Sequence, residues 1–289
     1  MKRPRRYAGF AFIAIMCLAV LLFYASDYLR DKDERHRKET SGKVLGRNKY
    51  ERAKKGASPS KDEISPTAKR KIAILIDDIG HDLASLDAFL TIDAPLSFAV
   101  LPHCTYSVAA AKRLHHAGRE ILLHLPMEPH NYPYVNPGHD ALFMDMNEQQ
   151  IMTQVEKNIN AVPYITGVSN HMGSRFMEDE AKLSVVFTQL KQRNLFFVDS
   201  KTTGYSRGPE LAKKMGLRFL SRKVFLDSDR DSVKTFYHIT KYFNSESLPA
   251  TDSWLLIGHP YPRTIDALKK ALPVLKAEGI EIVPVSDLL

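Results

Sequence analysis

IAILIDD, residues 72–78, decides the fold: five aliphatic residues in succession run directly into two carboxylates. An apolar run without alternation suits a strand buried on both faces, and such strands belong to parallel sheets covered by helices. Working outward, the same signature recurs in LSFAVL (96–101), EILLHL (120–125), ITGVS (165–169), LFFVD (195–199), RFL (218–220), WLLIG (254–258) and IEIVPV (280–285). Between these runs lie segments of helical period: DLASLDAFL, SVAAAKRLHHAG, NEQQIMTQVEKNINAV, EDEAKLSVVFTQLKQRN and TIDALKKALPVLKAEG. Several of them close on Gly or Asn, as helices do. Strand and helix alternate, so residues 71–289 are expected to form one α/β domain. Its sheet is expected to be mainly parallel with right-handed crossover helices, open or closed into a barrel. The connection HNYPYVNPGHDALFMDM (130–146) holds too much Pro, Asn and Gly for regular structure, and a loop of that length in a compact domain is usually functional.

N-terminal to the domain the composition changes. Lys2, Arg3, Arg5 and Arg6 precede an uncharged run from Tyr7 to Ser26, about the ~20 residues a membrane-spanning helix requires. The basic cluster stays in the cytoplasm by the positive-inside rule, which puts everything after Asp27 outside the cytoplasmic membrane, in the periplasm or beyond the cell. Residues 1–27 are thus read as a basic stub and single-pass anchor. A cleaved signal peptide is the alternative, for which Phe23 and Ala25 make a poor cleavage site. Residues 28–70 are charged and small, with almost no large apolar side chain, and read as a flexible tether.

The net charge of +8 invites a nucleic-acid reading until it is divided along the chain. Residues 1–70 carry 18 Lys and Arg against 8 Asp and Glu, a charge of +10, which leaves 23 against 25, or −2, for the rest. A weakly acidic domain has no basic face for phosphate backbones, so nucleic acid is set aside as a partner. Cys17 and Cys104 are the only cysteines, which excludes a disulfide framework and a thiolate metal site. No nucleophile elbow, phosphate-binding glycine loop, dinucleotide fingerprint or H-E-x-x-H helix is present either.

In parallel α/β folds ligands sit at the carboxyl ends of the strands, where loops from different strands converge. Here the strands end in Asp77-Asp78, His103, His124 (with Glu128 four residues on), Asn170-His171, Asp199 and His259. Singly each has a plain explanation: Asp78 caps the next helix, Asp199 closes a turn, a lone His is hydrogen-bonded. Together, carboxylates and imidazoles on one face suit a zinc-like divalent ion with three protein ligands and an open position for water. A second carboxylate would then act as general base.

ILIDDIG, REILLHLPMEP, GVSNHMGSRF, LFFVDSKTT and LLIGHPYPRTI, in that order over residues 71–289, resemble the divergent polysaccharide deacetylases, the YibQ-like relatives of NodB-type deacetylases. The resemblance implies a distorted (β/α) barrel, a metal-dependent hydrolase and a place in carbohydrate metabolism of the cell envelope. It puts the catalytic base on Asp77, metal ligands on Asp78 and His124, and the general acid on His259. The family's His-x-x-x-His-Pro motif reads His124 to Pro129 here, with Glu128 where the second His belongs. The third ligand is therefore expected to be His171 or Glu128. NHMGSRF stands in place of the usual Arg-x-Pro-Tyr, leaving Arg175 as the substitute arginine. The activity implied is removal of N-acetyl groups from an envelope polysaccharide or peptidoglycan-like glycan, with zinc as the expected metal. The departures from pattern keep a second expectation open: a membrane-tethered carbohydrate-binding or cell-wall scaffold protein, working with cell-wall enzymes, that has lost the chemistry.

Overall fold

The computed structural model describes residues 70–228 apart from His139, residues 254–289, and Phe236, Ile239 and Thr240 between them. The expected anchor (1–27) and all of the expected tether (28–70) but its last residue lie outside the described residues. No helix among the described residues is long and apolar enough to cross a membrane.

Nine strands are described: β1 (Lys71–Ile79), β2 (Ser97–Val100), β3 (Glu120–Met127), β4 (Gly167–Met172), β5 (Phe196–Asp199), β6 (Phe219–Ser221), β7 (Val224–Phe225), β8 (Trp254–Gly258) and β9 (Glu281–Val283). The helices are α1 (Ala84–Leu90), α2 (Ser107–His116), α3 (Glu148–Ala161), α4 (Glu180–Gln192), α5 (Gly208–Met215) and α6 (Pro262–Ala277). The sheet order is β6-β5-β4-β3-β2-β1-β8-β7, with β9 added to the start of β1, and every pairing is parallel. This is the curled parallel sheet with crossover helices that the sequence led one to expect.

The two ends of that order are one stretch of chain. β6 and β7 are separated only by Arg222 and Lys223, and both run parallel to their neighbours, so Phe219–Phe225 continues in one direction while changing partner. Arg222 N–H donates to Asp199 O of β5, and the next amide, Lys223 N–H, donates to Leu255 O of β8, each at 2.9 Å. The curled sheet closes into a distorted barrel through this handover.

Strand alternation sorts the side chains into two cores. Ile72, Ile74 and Ile76 of β1 belong to the larger cluster, with Phe89, Leu114, Val155, Phe187 and Leu268 of the helices. Ala73 and Leu75 point the other way, packing with Ala99, Leu122, Phe196, Val198, Leu255 and Ile257 inside the barrel. Helix starts follow local chemistry: Asn147 and Gln150 form a reciprocal capping box on α3, and the Asp179 carboxylate accepts the Lys182 N–H on α4.

One strand and two short elements depart most from the sequence reading. ITGVS starts too early, because β4 pairs with β3 from Leu122↔Gly167 through Met127↔Met172, which carries Asn170 and His171 into the strand. Helix α5 and strand β7 were not anticipated, since eight and two residues respectively are too short to show a period. The 130–146 segment contains turns and a single bridge, Met127↔Leu142, but no helix or strand among its described residues.

Candidate active site

The alternation that fills the barrel also builds the site. Continuing the inward row of each strand by two residues leads from Ala73 and Leu75 to Asp77, from Leu122 to His124, and from Phe196 and Val198 to Ser200. The same step leads from Leu255 and Ile257 to His259, and from Phe225 to Asp227. The apolar interior thus ends in a layer of polar groups at the carboxyl ends of the strands.

Asp78 joins that layer by a different device. Strand β1 pairs with β2 at Ile76↔Phe98 and next at Ile79↔Val100, so β1 carries one extra residue, a β-bulge. Asp78 sits in it with φ +58°. A non-glycine residue there costs on the order of 1 kcal/mol, and bulges commonly re-aim a side chain next to a functional site. Two adjacent residues that would face opposite ways in a regular strand therefore both serve the same centre.

Asp78, His124 and His171 converge. Asp78 Oδ1 lies 3.2 Å from His124 Nε2 and 3.0 Å from His171 Nδ1, and the two nitrogens are 3.3 Å apart. Tetrahedral zinc at about 2.0–2.1 Å from its ligands places them about 3.3 Å from one another, so these three edges have the dimensions of one face of such a site. Asp78 Oδ1 is buried and makes no well-aligned hydrogen bond despite its two nitrogen neighbours. That is expected where lone pairs converge on a shared point rather than on each other. His124 Nδ1 pairs with Ser169 Oγ at 2.8 Å, which fixes the ring and leaves Nε2 for the centre. Burial pushes the His124 imidazole down to about 4 despite the Asp78 contact, so it is neutral at physiological pH, as a ligand must be. Burial opposes ionisation of Asp78, but the two imidazoles beside it hold its carboxyl far below the usual carboxylate range. Among the described residues these three are the group with the geometry to hold a metal ion.

Asp77 is 2% exposed and lies behind them, its Oδ2 3.7 Å from His124 Nε2 and 3.4 Å from Ser200 Oγ, which donates to it. Its Oδ1 is buried without a hydrogen bond among the described residues. Burial, reinforced by the neighbouring Asp78 charge, pushes its carboxyl well above the ordinary range, while His259 and Ser200 pull it down. A nearby positive charge would favour its ionised form.

His259 faces the centre from β8 and is paired with a residue that sequence reasoning missed. Its Nδ1 lies 2.9 Å from Asp227 Oδ1, and its backbone N–H donates to Asp227 Oδ2 at 2.6 Å. Thr264 Oγ1 donates to the same Oδ2 at 2.7 Å. Burial alone would lower the His259 pKa; the Asp227 hydrogen bond and charge overcome that and raise it above the ordinary imidazole value. The ring packs against Phe225 and Tyr261, both 5.7 Å away centre to centre. Asp227 follows a two-residue strand, too brief to mark it as the end of an inward row.

The remaining strand-end residues lie apart from the centre. Glu128 is buried, but Oε1 accepts Arg175 Nη1 and Oε2 accepts the Met144 N–H, both at 2.7 Å. Arg175 thus sits on Glu128, not on Asp77, which corrects its expected place as the arginine behind the base. The guanidinium whose charge reaches Asp77 is that of Arg222, stacked 3.6 Å over Phe225 and bonded to the Ser200 and Lys201 carbonyls. His103 pairs with Asn158 at 3.1 Å, away from the cluster. Asp199 accepts from the Lys201 N–H and Ser206 Oγ, both at 2.7 Å, closing its own loop.

The curled parallel barrel thus carries an acidic pair on its first strand and histidines arriving from three others. The chain belongs to the divergent polysaccharide deacetylase family, whose model matches residues 74–289. An uncharacterised protein of Haemophilus influenzae is 33% identical over 223 residues, 76% of this chain and 77% of that one. The uncharacterised protein YibQ of Escherichia coli is 32% identical over 227 residues, 78% and 69% of the two chains. The crystal structure of an uncharacterised Agrobacterium tumefaciens protein shares the fold, with a TM-score of 0.70 at 22% identity over 78% of this chain and 91% of that one.

Proposed function

We propose that this protein is a metal-dependent hydrolase of the cell envelope that removes N-acetyl groups from a polysaccharide, tethered outside the cytoplasmic membrane by its N-terminal segment. The observation that carries the reading is the triangle of Asp78, His124 and His171, with edges of 3.0–3.3 Å, beside the unsatisfied Asp77 and opposite the His259–Asp227 pair. Two imidazoles and one carboxylate form a donor set suited to zinc, with Asp78, His124 and His171 as the holders. A divalent ion bound there would supply Lewis-acid polarisation of a carbonyl, a water ready to lose its proton, and the positive charge that keeps Asp77 ionised.

Asp77 then serves as the general base, its Oδ2 held by Ser200 and its Oδ1 open to accept the proton of the attacking water. His259 serves as the general acid. With Nδ1 committed to Asp227, the imidazolium presents Nε2 to the departing amine nitrogen, and Asp227 stabilises the cation until it gives up that proton. Glu128, the alternative third ligand, has both carboxylate oxygens engaged elsewhere, which favours His171.

The experiment is to purify the full chain, measure bound metal, and assay acetate release from N-acetylated glycans, peptidoglycan fragments included. Wild type should carry one ion per chain and release acetate; Asp77→Asn should keep the ion and lose the release. A chain with neither metal nor acetate release would sink the proposal. Glycan binding that survives Asp77→Asn and Asp78→Asn without any turnover would instead favour the scaffold reading.

A further inference from the structure

In this chain the position where ordinary deacetylases place a second histidine does a different job, and we infer that Glu128 is the latch that holds the 130–146 loop in place as the substrate-binding wall of the site. The inference rests on the reading of the site as glycan-binding. It goes beyond that reading in giving Glu128 a positioning role and making the loop the determinant of which glycan fits.

Every polar group of Glu128 is spent on the loops that rim the site. Its backbone N–H donates to Leu142 O at 2.9 Å, and its carbonyl accepts the N–H groups of Arg175 and Phe176 at 3.2 Å. Its carboxylate takes the Met144 N–H with one oxygen and the Arg175 guanidinium with the other. One side chain thus ties the end of β3 to the far end of the long loop and to the loop after β4. The bridge Met127↔Leu142 and the Leu142 N–H bond to Pro126 O, at 2.9 Å, continue the same seam. Burial gives the seam its strength. The Glu128 side chain is 4% exposed, so the carboxylate is stable there only while both partners remain, whereas Arg175 at 52% can leave for solvent.

A second clasp lies farther out. His130 Nε2 pairs with Glu178 Oε1 at 3.1 Å, and Thr203 Oγ1 donates to that same oxygen at 2.5 Å. His130 N–H also donates to Ser174 Oγ at 3.0 Å. The loops after β3, β4 and β5 are therefore cross-linked, and what they display outward is aromatic. Tyr132 is 38% exposed and packs on Phe143 with ring centres 5.0 Å apart, and Tyr134 is almost fully exposed. Flat, rigid and amphipathic rings of this kind suit the faces of sugar rings. Release of Glu128 would let them move away from the site while the Asp78, His124 and His171 triangle, built on other atoms, stays intact.

The experiment compares Glu128→Ala, Glu128→Gln and Arg175→Met with wild type in three measurements: amide hydrogen exchange over 130–146, zinc affinity, and binding or turnover of N-acetylated glycan. Glu128→Ala should speed exchange of the Met144 amide about tenfold or more, because that N–H loses its buried acceptor. Glu128→Gln, whose amide oxygen still accepts that N–H, should fall between, and Arg175→Met, which removes the exposed partner while the Met144 N–H bond remains, should also loosen the loop. Zinc affinity should stay within about threefold in all three, and glycan KM should rise about tenfold with kcat held within about threefold. A hundredfold loss of zinc affinity in Glu128→Ala with loop exchange unchanged would overturn the inference and make Glu128 a ligand. Unchanged exchange and unchanged KM in both Glu128→Ala and Arg175→Met would also overturn it. If wild type releases no acetate, the deacetylase reading fails separately, and loop exchange together with glycan affinity still decides the latch.

Discussion

The two ends of this barrel use the same kinds of polar residue to opposite effect. At the end where the strands begin, Ser97 Oγ donates to Glu120 Oε2 at 2.7 Å and accepts the Val285 N–H, while the Ser286 N–H reaches both Glu120 oxygens at 3.3 Å. Thr166 adds a further hydroxyl, and Val285 plugs the interior. At the end where the strands finish, Asp77 Oδ1 and Asp78 Oδ1 are the only buried carboxylate oxygens among the described residues without a hydrogen bond. Glu120 is completed by the fold, whereas Asp77 and Asp78 each keep one buried oxygen without a hydrogen bond. Satisfaction, more than polarity or burial, separates the two ends, and under the proposed function it marks the working carboxylates.

The largest expected effect is the sharpest test of that contrast. Asp77→Asn should lower kcat for acetate release by about 10²–10⁴, the range associated with a positioned general base, while leaving bound metal in place. Asp78→Asn should reduce metal affinity by at least about 100-fold, as measured by competition with a chelating dye. Glu120→Gln at the other end should leave kcat and metal affinity within about twofold of wild type. Equal losses at both ends would break the comparison.

A smaller effect is expected where the functional end borrows a structural partner. Asp227 is fully bonded, to His259 twice and to Thr264, yet in the proposed mechanism it keeps an imidazolium in place. Asp227→Asn should lower kcat at pH 8 by about tenfold to a hundredfold, part of what a positioned acid contributes. It should also move the alkaline limb of the kcat/KM profile to lower pH, since the partner that raises the His259 pKa above its ordinary value is gone. An unmoved alkaline limb would take His259 out of the acid role.

The functional end was more legible in the sequence than its internal wiring. Buried parallel strands advertise themselves as unbroken apolar runs, and a charged or imidazole residue at such an end has few structural reasons to be there, so Asp77, Asp78, His124, His171 and His259 could be picked out one by one. Which of them meet is a matter of register and bulges. The extra residue at Asp78 and the extension of β4 to Met172 carry that information, and neither has a signature in composition. Asp227 escaped because β7 is held by its neighbour β8 rather than by its own pattern, and Arg175 was misplaced because proximity to a missing motif says nothing about which carboxylate a long side chain will choose. The closing handover between β6 and β7 was invisible for the same reason.

At the structural end the expected change is in stability alone. Glu120→Ala strands the Ser97 hydroxyl and the Ser286 N–H, so it should cost about 1–3 kcal/mol, or roughly 2–4 °C of Tm per kcal/mol for a domain of this size, with metal content unchanged. Calorimetry of the variant beside wild type measures it. A drop in metal affinity would mean that the two ends are coupled through the barrel.

The smallest effect is one of pH, and its sign follows from His259. Its pKa in the folded protein lies above the ordinary value near 6.5, so the fold holds that proton more tightly than the unfolded chain does. The stabilisation is complete below about pH 6.5 and is lost as pH rises through the folded pKa, where both states end deprotonated. Asp227→Asn removes the partner and with it this contribution, so the stability difference between wild type and variant should be greatest near pH 6 and shrink on the alkaline side. Urea melts of the two proteins at pH 6 and pH 9 measure the difference. A gap that widened toward pH 9 would mean that Asp227 stabilises the fold through Thr264 and the His259 backbone alone, and would move it from the functional end of the comparison to the structural one.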